Sequence, residues 1–269
     1  MPRTRLWMMV MATCLGTACS IADPHRPEWL EAFGHASVRW IAATPFGVLA
    51  VVPGGKIRRY PGEWDRPWFD HLTADATQLA ANNSIIWTLT GDGNIVRRND
   101  VRAAGETLTN GGGGIIRFAV SSSGEVHVLA QGHPQRLVDG RLVDTPCAGR
   151  TAQALALAAD GTYLATTTGT LALETAAGAC VDVPAPFVAT DLAATDVVGG
   201  RYELAAVDNR QMVWLRRPGQ DRWEEQPPPV VFRPGHFRRS AAVEQVAVSA
   251  LAVWARTTDG LVFIYSDPR

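Results

Sequence analysis

The chain has 269 residues, a formal net charge of −1, 46% hydrophobic residues and 19% charged residues. That composition supports a folded core and argues against disorder, and the near-neutral charge argues against a broad electrostatic partner such as nucleic acid. Lysine occurs once, at Lys56, against 24 arginines, a bias that says little about function. Taken in chain order, the first element is a leader over residues 1–18. Arg3 and Arg5 precede the apolar run "LWMMVMATCL", Leu6 to Leu15, which is too short for a stable bilayer-spanning helix and has the length of a signal peptide.

The stretch "GTACS" follows, with Cys19 four residues after Leu15. It resembles the lipobox of bacterial lipoproteins, in which the chain is cleaved before a cysteine that then carries lipid. Gly16 departs from the leucine preferred three residues earlier. The resemblance implies an anchored protein with lipid on Cys19, and Ser20 is compatible with outer-membrane retention. Residues 19–26 would then be a tether. The alternative is ordinary secretion with cleavage after Ala22, leaving a periplasmic or secreted soluble protein. Of the four cysteines, Cys14 falls in the leader. Cys147 and Cys180 remain as a disulfide candidate in an oxidising compartment, or as two separate buried thiols.

A short apolar–small pair then recurs: Ile41-Ala42, Leu79-Ala80, Phe118-Ala119, Leu155-Ala156, Leu192-Ala193 and Val246-Ala247. The successive spacings are 38, 39, 37, 37 and 54 residues. Behind each pair comes an apolar run, such as "GVLAVV" or "SIIWTL", then a turn signal, then a third short strand such as "KIRRY" or "NIVRR". Asp92-Gly93 and Asp259-Gly260 are the clearest turns, because both central residues tolerate positive φ. Six copies of about four strands, with a period of 37–40, predict an all-β six-bladed β-propeller over residues 27–269. The recurring alanines fit the crowded central axis. The last copy stops after its third strand, so "PEWLEAFG", Pro27 to Gly34, is expected to supply the missing strand and close the last blade. The long spacing before copy six marks an insertion at 226–244, which could also hide a degenerate seventh copy.

Copies two, five and six resemble known repeats. Trp87 followed by Asp92-Gly93 and "NIVRR" resembles tectonin-type repeats. "GGRYELAAVDNRQMVWLRRPGQDRWEEQ" is similar to repeats of bacterial propeller lectins related to the Photorhabdus fucose-binding lectin, and copy six echoes RCC1-type repeats. The resemblance implies a propeller of a kind used for glycan or protein binding.

The candidate ligand-binding residues are Trp64, Trp68, Trp214 and Trp223, because an indole face can stack on a sugar ring. Inter-blade packing is the competing use of the same residues. Arg233, His236, Arg238 and Arg239 cluster in the insertion, where a loop on a rigid scaffold can carry function or be mere decoration. The arginine pairs Arg58-Arg59, Arg97-Arg98 and Arg216-Arg217 suit either an anionic rim or ion pairs between blades. "TNGGGG" lacks the lysine and helix of a phosphate loop and reads as a blade connection. Asp70-His71 has no nucleophile motif beside it, and the six histidines lack metal-ligand spacing. The expectation is therefore a monomeric, non-catalytic envelope protein without metal or cofactor, recognising a glycan or an envelope protein. A protein-interaction platform without glycan binding is the alternative, and a polysaccharide hydrolase or lyase the lesser one.

Overall fold

A computed structural model describes residues 28–32, 37–45, 47–60, 69–82, 85–99, 104–109, 114–198, 200–231 and 239–266. Cys19, Trp64, Trp68, Arg233, His236 and Arg238 lie outside the described residues, as do the leader and tether. The described chain is all strand, without a helix. A first strand, β1 (Glu28–Glu31), precedes the first blade. Blade 1 is β2 (Trp40–Thr44), β3 (Gly47–Val52), β4 (Lys56–Tyr60) and β5 (Phe69–Thr73). Blade 2 is β6 (Ala76–Asn82), β7 (Ile85–Thr90), β8 (Ile95–Arg98) and β9 (Glu106–Thr107). Blade 3 is β10 (Ile115–Val120), β11 (Val126–Ala130), β12 (His133–Val138) and β13 (Arg141–Asp144). Blade 4 is β14 (Ala152–Ala158), β15 (Gly161–Thr166), β16 (Leu171–Thr175) and β17 (Cys180–Val183). Blade 5 is β18 (Ala189–Ala194), β19 (Leu204–Asp208), β20 (Val213–Arg216) and β21 (Trp223–Gln226). The insertion forms a small hairpin, β22 (Val230–Val231) with β23 (Arg239–Ser240), and holds no seventh blade in its described part. Blade 6 is β24 (Val243–Val248), β25 (Val253–Thr257) and β26 (Val262–Ser266), completed by β1.

The expected closure is therefore present. β1 pairs antiparallel with β26, Glu28 opposite Ser266 and Glu31 opposite Phe263. Trp29 fixes the joint: its ring lies 5.1 Å from that of Tyr265, and its Nε1–H donates to the Pro227 carbonyl at 2.8 Å. Pairing the first strand with the last leaves the ring of sheets with no free seam. Cys147 and Cys180 form a disulfide that ties the β13–β14 connection to β17, so blade 3 is stapled to blade 4.

The second strands are buried along their length, Val48–Val52 and Leu204–Asp208 among them, because blades pack on both faces. Trp87 and Trp254 stand on equivalent second strands, opposite Ala80 and Ala247, and both are fully buried. Small residues on the first strands make room for them.

Between the second and third strands of blades 2, 4, 5 and 6 the chain makes one recurring turn. In Thr90–Asn94 the first residue's N–H and carbonyl bond the backbone of the fifth and fourth residues, and its hydroxyl takes the N–H of the fifth. Thr166–Thr170, Asp208–Met212 and Thr257–Leu261 repeat it, with the Asp208 carboxylate replacing the hydroxyl. Ser121–Glu125 and Thr175–Ala179 use the same turn elsewhere in blades 3 and 4. The fourth residue needs a left-handed φ, which glycine supplies in every copy but one, where Gln211 adopts φ 66°. Blade 3 instead uses a two-residue turn, Gln131-Gly132, with φ 53° and 85°, the type I′ geometry that matches strand twist.

Candidate functional site

The six first strands line a central channel with a cavity of about 130 Å³, and the recurring alanines Ala42, Ala80, Ala119, Ala156, Ala193 and Ala247 all lie on its wall. The alanine-lined central axis expected from sequence is thus present. A second feature was not read from the sequence. In blades 2 to 6 the first strand carries a β-bulge just before the apolar–small pair, as the register shifts at Ala76/Gln78, Ile115/Arg117, Ala152/Ala154, Ala189/Asp191 and Val243/Gln245 show. A bulge re-aims the side chain that follows it. The residues so placed are Gln78, Arg117, Ala154, Asp191 and Gln245, with Trp40 opening β2 at the matching position.

These residues form a girdle where the first strands begin, and all but Gln78 line the channel. Trp40 Nε1–H donates to the Leu79 carbonyl at 2.9 Å, bonding blade 1 to blade 2. Gln78 Nε2 donates to the Ile116 carbonyl at 2.6 Å, bonding blade 2 to blade 3. Blade 4 has Ala154 in the ring, so its bulged Gln153 serves instead, donating to the Ala189 carbonyl of blade 5 at 2.9 Å. Asp191 Oδ2 accepts the Val246 N–H of blade 6 at 3.0 Å. Gln245 closes the ring to blade 1, accepting the Ile41 N–H and donating to the Ile41 carbonyl, both at 3.0 Å.

Arg117 breaks the pattern. It makes no hydrogen bond to blade 4, whose ring residue is the small Ala154. Its guanidinium instead stands over the Trp40 ring, 4.4 Å from the centroid, with Nη2 3.6 Å from Asp191 Oδ1. Nη1 is buried and has no hydrogen-bond partner. Asp191 is 4% exposed. Burial pushes its carboxyl up to about 6, against the opposing pull of Arg117, the Val246 N–H and Arg256. Arg256 is itself buried beside the ring, donating from Nε to Gln245 Oε1 at 3.2 Å and pairing through Nη1 with Glu244 at 3.1 Å.

The opposite end of the channel is bridged. Asp196, just after β18, reaches across it, its Oδ2 accepting the Ser122 N–H at 2.6 Å. Arg201 N–H donates to the Ala250 carbonyl at 2.7 Å. This end carries the two most exposed large apolar side chains among the described residues, Val198 at 87% and Leu251 at 72%. The register Val248–Val253–Tyr265–Trp29 places the start of β1 at this same end of blade 6.

Of the candidate residues, Trp214 and Trp223 lie in the seam between blades 4 and 5, at 8% and 7% exposed. Phe187 stacks on Trp214 at 4.8 Å and meets Trp223 edge-on at 4.9 Å. Trp214 Nε1–H is taken by Asp208. The solvent-open face that sugar stacking requires is therefore filled by protein at both. Arg239 is exposed on the insertion hairpin, opposite Val231. Arg216 turns inward between blades: its Nη2 meets the Tyr163 hydroxyl at 2.7 Å, Glu203 at 3.4 Å and Asp160 at 3.6 Å. Arg217 pairs with Glu224 and lies over Tyr202, and Arg97 reaches Glu106 at 4.0 Å. These pairs bind blades and strands together.

A larger groove of about 630 Å³ runs between blades 3 and 4 past His127, Arg136, Thr162 and Glu174. His127 Nδ1 bonds the Thr162 hydroxyl at 3.1 Å, and burial lowers its pKa against the opposing Glu174 and Glu125. The groove lies between neighbouring blades, with Asp196 and Val198 on its wall, whereas every blade converges on the channel. Among the described residues no group of three His, Cys, Asp or Glu is placed to hold a metal ion.

No protein-family model matches the chain, and no curated protein matches it. Its fold has solved counterparts. YCF48 bound to D1 peptide is similar with a TM-score of 0.59 and 12% identity, over 89% of this chain and 96% of that one. Virginiamycin B lyase from Staphylococcus aureus is similar at 0.55 and 12%, over 90% and 99%. PorZ, a surface component of the type-IX secretion system of Porphyromonas gingivalis, is similar at 0.51 and 12%, over 87% of this chain but 37% of PorZ. The chain thus spans little more than a third of PorZ, and at these identities the likeness shows the β-propeller fold alone.

Proposed function

We propose that this chain is an exported lipoprotein, held by lipid on Cys19 in the outer membrane, whose propeller is a non-catalytic scaffold for an envelope protein. The observation that carries the binding role is the channel girdle, in which five seams are closed by side chain–backbone bonds and the sixth position, Arg117, is left with a buried free donor. The fold does not separate binding from catalysis, since the similar structures include a lyase as well as peptide-bound YCF48. The tectonin-like resemblance would favour a glycan, but Trp214 and Trp223 have their faces occupied. A protein partner is therefore the better reading. β1, into which residues 19–26 lead, begins at the end bearing Val198 and Leu251, opposite the Arg117 end.

Two measurements test this. Cys19→Ser is expected to move the protein from the membrane fraction to the soluble exported fraction, and retention in the membrane would refute the anchor. A photo-crosslinking residue at Ile116, the bulged neighbour of Arg117, is expected to trap one envelope protein that the same probe at Leu251 does not. Equal trapping from both positions, or trapping from Leu251 alone, would refute the site. A glycan array that gives binding to one sugar class on the folded chain would replace the protein partner with a glycan.

A further inference from the structure

We propose that Arg117 is the anchor of a carboxylate-binding site in the channel, which receives an acidic side chain or the chain end of an extended peptide from the partner protein. This rests on the binding-scaffold reading above and names the chemistry of its site.

Four observations converge on it. The first is the break in the girdle: at every other position the ring or its bulged neighbour serves the next blade, and here it does not. The second is the state of the guanidinium. Nη2 faces Asp191 at 3.6 Å, while Nη1 is buried without a protein partner beside the cavity, so the guanidinium keeps a donor for a ligand acceptor. The third is preorganisation. Trp40 supports the guanidinium plane from one side, and its own Nε1–H is fixed to Leu79, so neither side chain must be ordered when ligand arrives. The fourth is room. Ala154 sits where a larger ring residue would fill the space beside Arg117, and the cavity of about 130 Å³ suits a short side chain bearing a carboxylate. The planar fork of arginine matches a carboxylate oxygen in direction as well as charge.

The same geometry selects peptide over sugar acid. Stacking a sugar ring needs an open aromatic face, and the Trp40 face in the channel is already covered by Arg117. An extended peptide needs no such face, and its carboxylate can enter the mouth end-on.

Asp191 makes binding depend on protons. The charged groups facing it are Arg117 from β10 and Arg256 from β25, the latter tied to Glu244 of β24. A carboxylate arriving at Nη1 places a second negative charge close to Asp191 and raises its proton affinity further. The complex therefore binds a proton more tightly than the free protein does, and affinity rises as pH falls toward 5.5. If ligand raises Asp191 by one further pKa unit, the affinity ratio between pH 5.5 and pH 8 is about five- to tenfold.

The test is calorimetric titration of the chain from Ser20 onward, which contains every described residue, with its disulfide intact. The probes are N-acetyl-Ala-Ala-Ala with a free carboxylate, its C-terminal amide, N-acetyl-Ala-Asp-Ala-amide and glucuronic acid. One of the two carboxylate peptides is expected to bind at least tenfold more tightly than the uncharged amide, and which one does identifies the source as chain end or side chain. Arg117→Met is expected to lose that preference while keeping the wild-type circular dichroism and urea midpoint to within a small shift, and Arg117→Lys to retain part of it. Asp191→Asn is expected to level the affinities at pH 5.5 and pH 8. Equal binding of the amide, unchanged binding by Arg117→Met, preference for glucuronic acid, or no binding of any probe by the folded chain would overturn the proposal. Position-specific crosslinking at Ile116 stands independently of these results, so loss of the carboxylate preference with crosslinking intact would remove this inference and leave the scaffold reading standing.

Discussion

Asp191 holds a charge in a place that disfavours it, and its stability effect has a definite sign. The carboxyl titrates at about 6 in the folded chain, above the ordinary value of 3.8. Between those values the folded chain binds a proton that the unfolded chain has released, so stability falls as pH rises from about 4 to about 6. Two pKa units correspond to about 3 kcal/mol. Asparagine can still accept the Val246 N–H and has nothing to titrate. The urea-derived stability of Asp191→Asn relative to the unmodified chain is therefore expected to improve by about 2.5 kcal/mol between pH 4 and pH 7. A difference that stays constant with pH would show that Asp191 is not burdened by burial. Nothing in the sequence singled out this residue or Arg117. The six ring positions, Trp40, Gln78, Arg117, Ala154, Asp191 and Gln245, share a place but not a chemistry, so they leave no self-similar trace. The usable signal was positional: each stands one residue before the recurring apolar–small pair. Trp214 and Trp223 illustrate the reverse problem, because an indole looks the same in a sequence whether its face is open or packed against Phe187.

At the scale of elements, the hairpin turns were legible because Asp-Gly pairs punctuate a fixed period. What the period hid was the capping residue two positions earlier, which is Thr in three blades and Asp in a fourth, each bonding the same N–H. Hydroxyl and carboxylate are interchangeable there as acceptors, and a search for identical residues passes over them. The turns also separate two costs of losing glycine. Gly178 and Gly260 share nearly the same φ, 78° and 80°, but a Cβ on Gly178 meets open space while one on Gly260 lies 2.7 Å from the Ser37 backbone. Gly178→Ala is expected to lose about 1 kcal/mol from left-handed strain alone, and Gly260→Ala distinctly more because backbone must shift. The opposite change is available at Gln211, where glycine relieves the same strain and is expected to gain up to about 1 kcal/mol. Urea midpoints at constant slope measure all three, and equal losses at Gly178 and Gly260 would contradict the clash.

For the whole molecule the decisive question is whether six blades behave as one unit. Each blade packs its sheet on its two neighbours, with Arg117 and Asp196 reaching across the channel to other blades, so a ring gains stability from having no first and last member. Trp29 makes that closure, packing on Tyr265 and holding Pro227, while the Tyr265 hydroxyl donates to Gln226 across the seam between blades 5 and 6. Trp29→Ala removes a buried indole at the joint and is expected to cost about 3–5 kcal/mol. The disulfide acts on the other side of the ring. It spans 33 residues and restricts the unfolded chain, so replacing Cys147 and Cys180 by Ala is expected to cost about 2–4 kcal/mol. The two sites share no contact, and in a ring that unfolds as one unit their losses should add within about 0.5 kcal/mol in the combined variant, with a single urea transition and unchanged slope in every case. If blade 6 instead peels away when Trp29 is lost, the transition will split. The early component will then respond to Trp29→Ala and the late one to the cysteine replacements. A split would mean that closure only joins the chain ends. A single additive transition would mean that β1 holds all six first strands in the arrangement that places Arg117, Trp40 and Asp191 together around the channel.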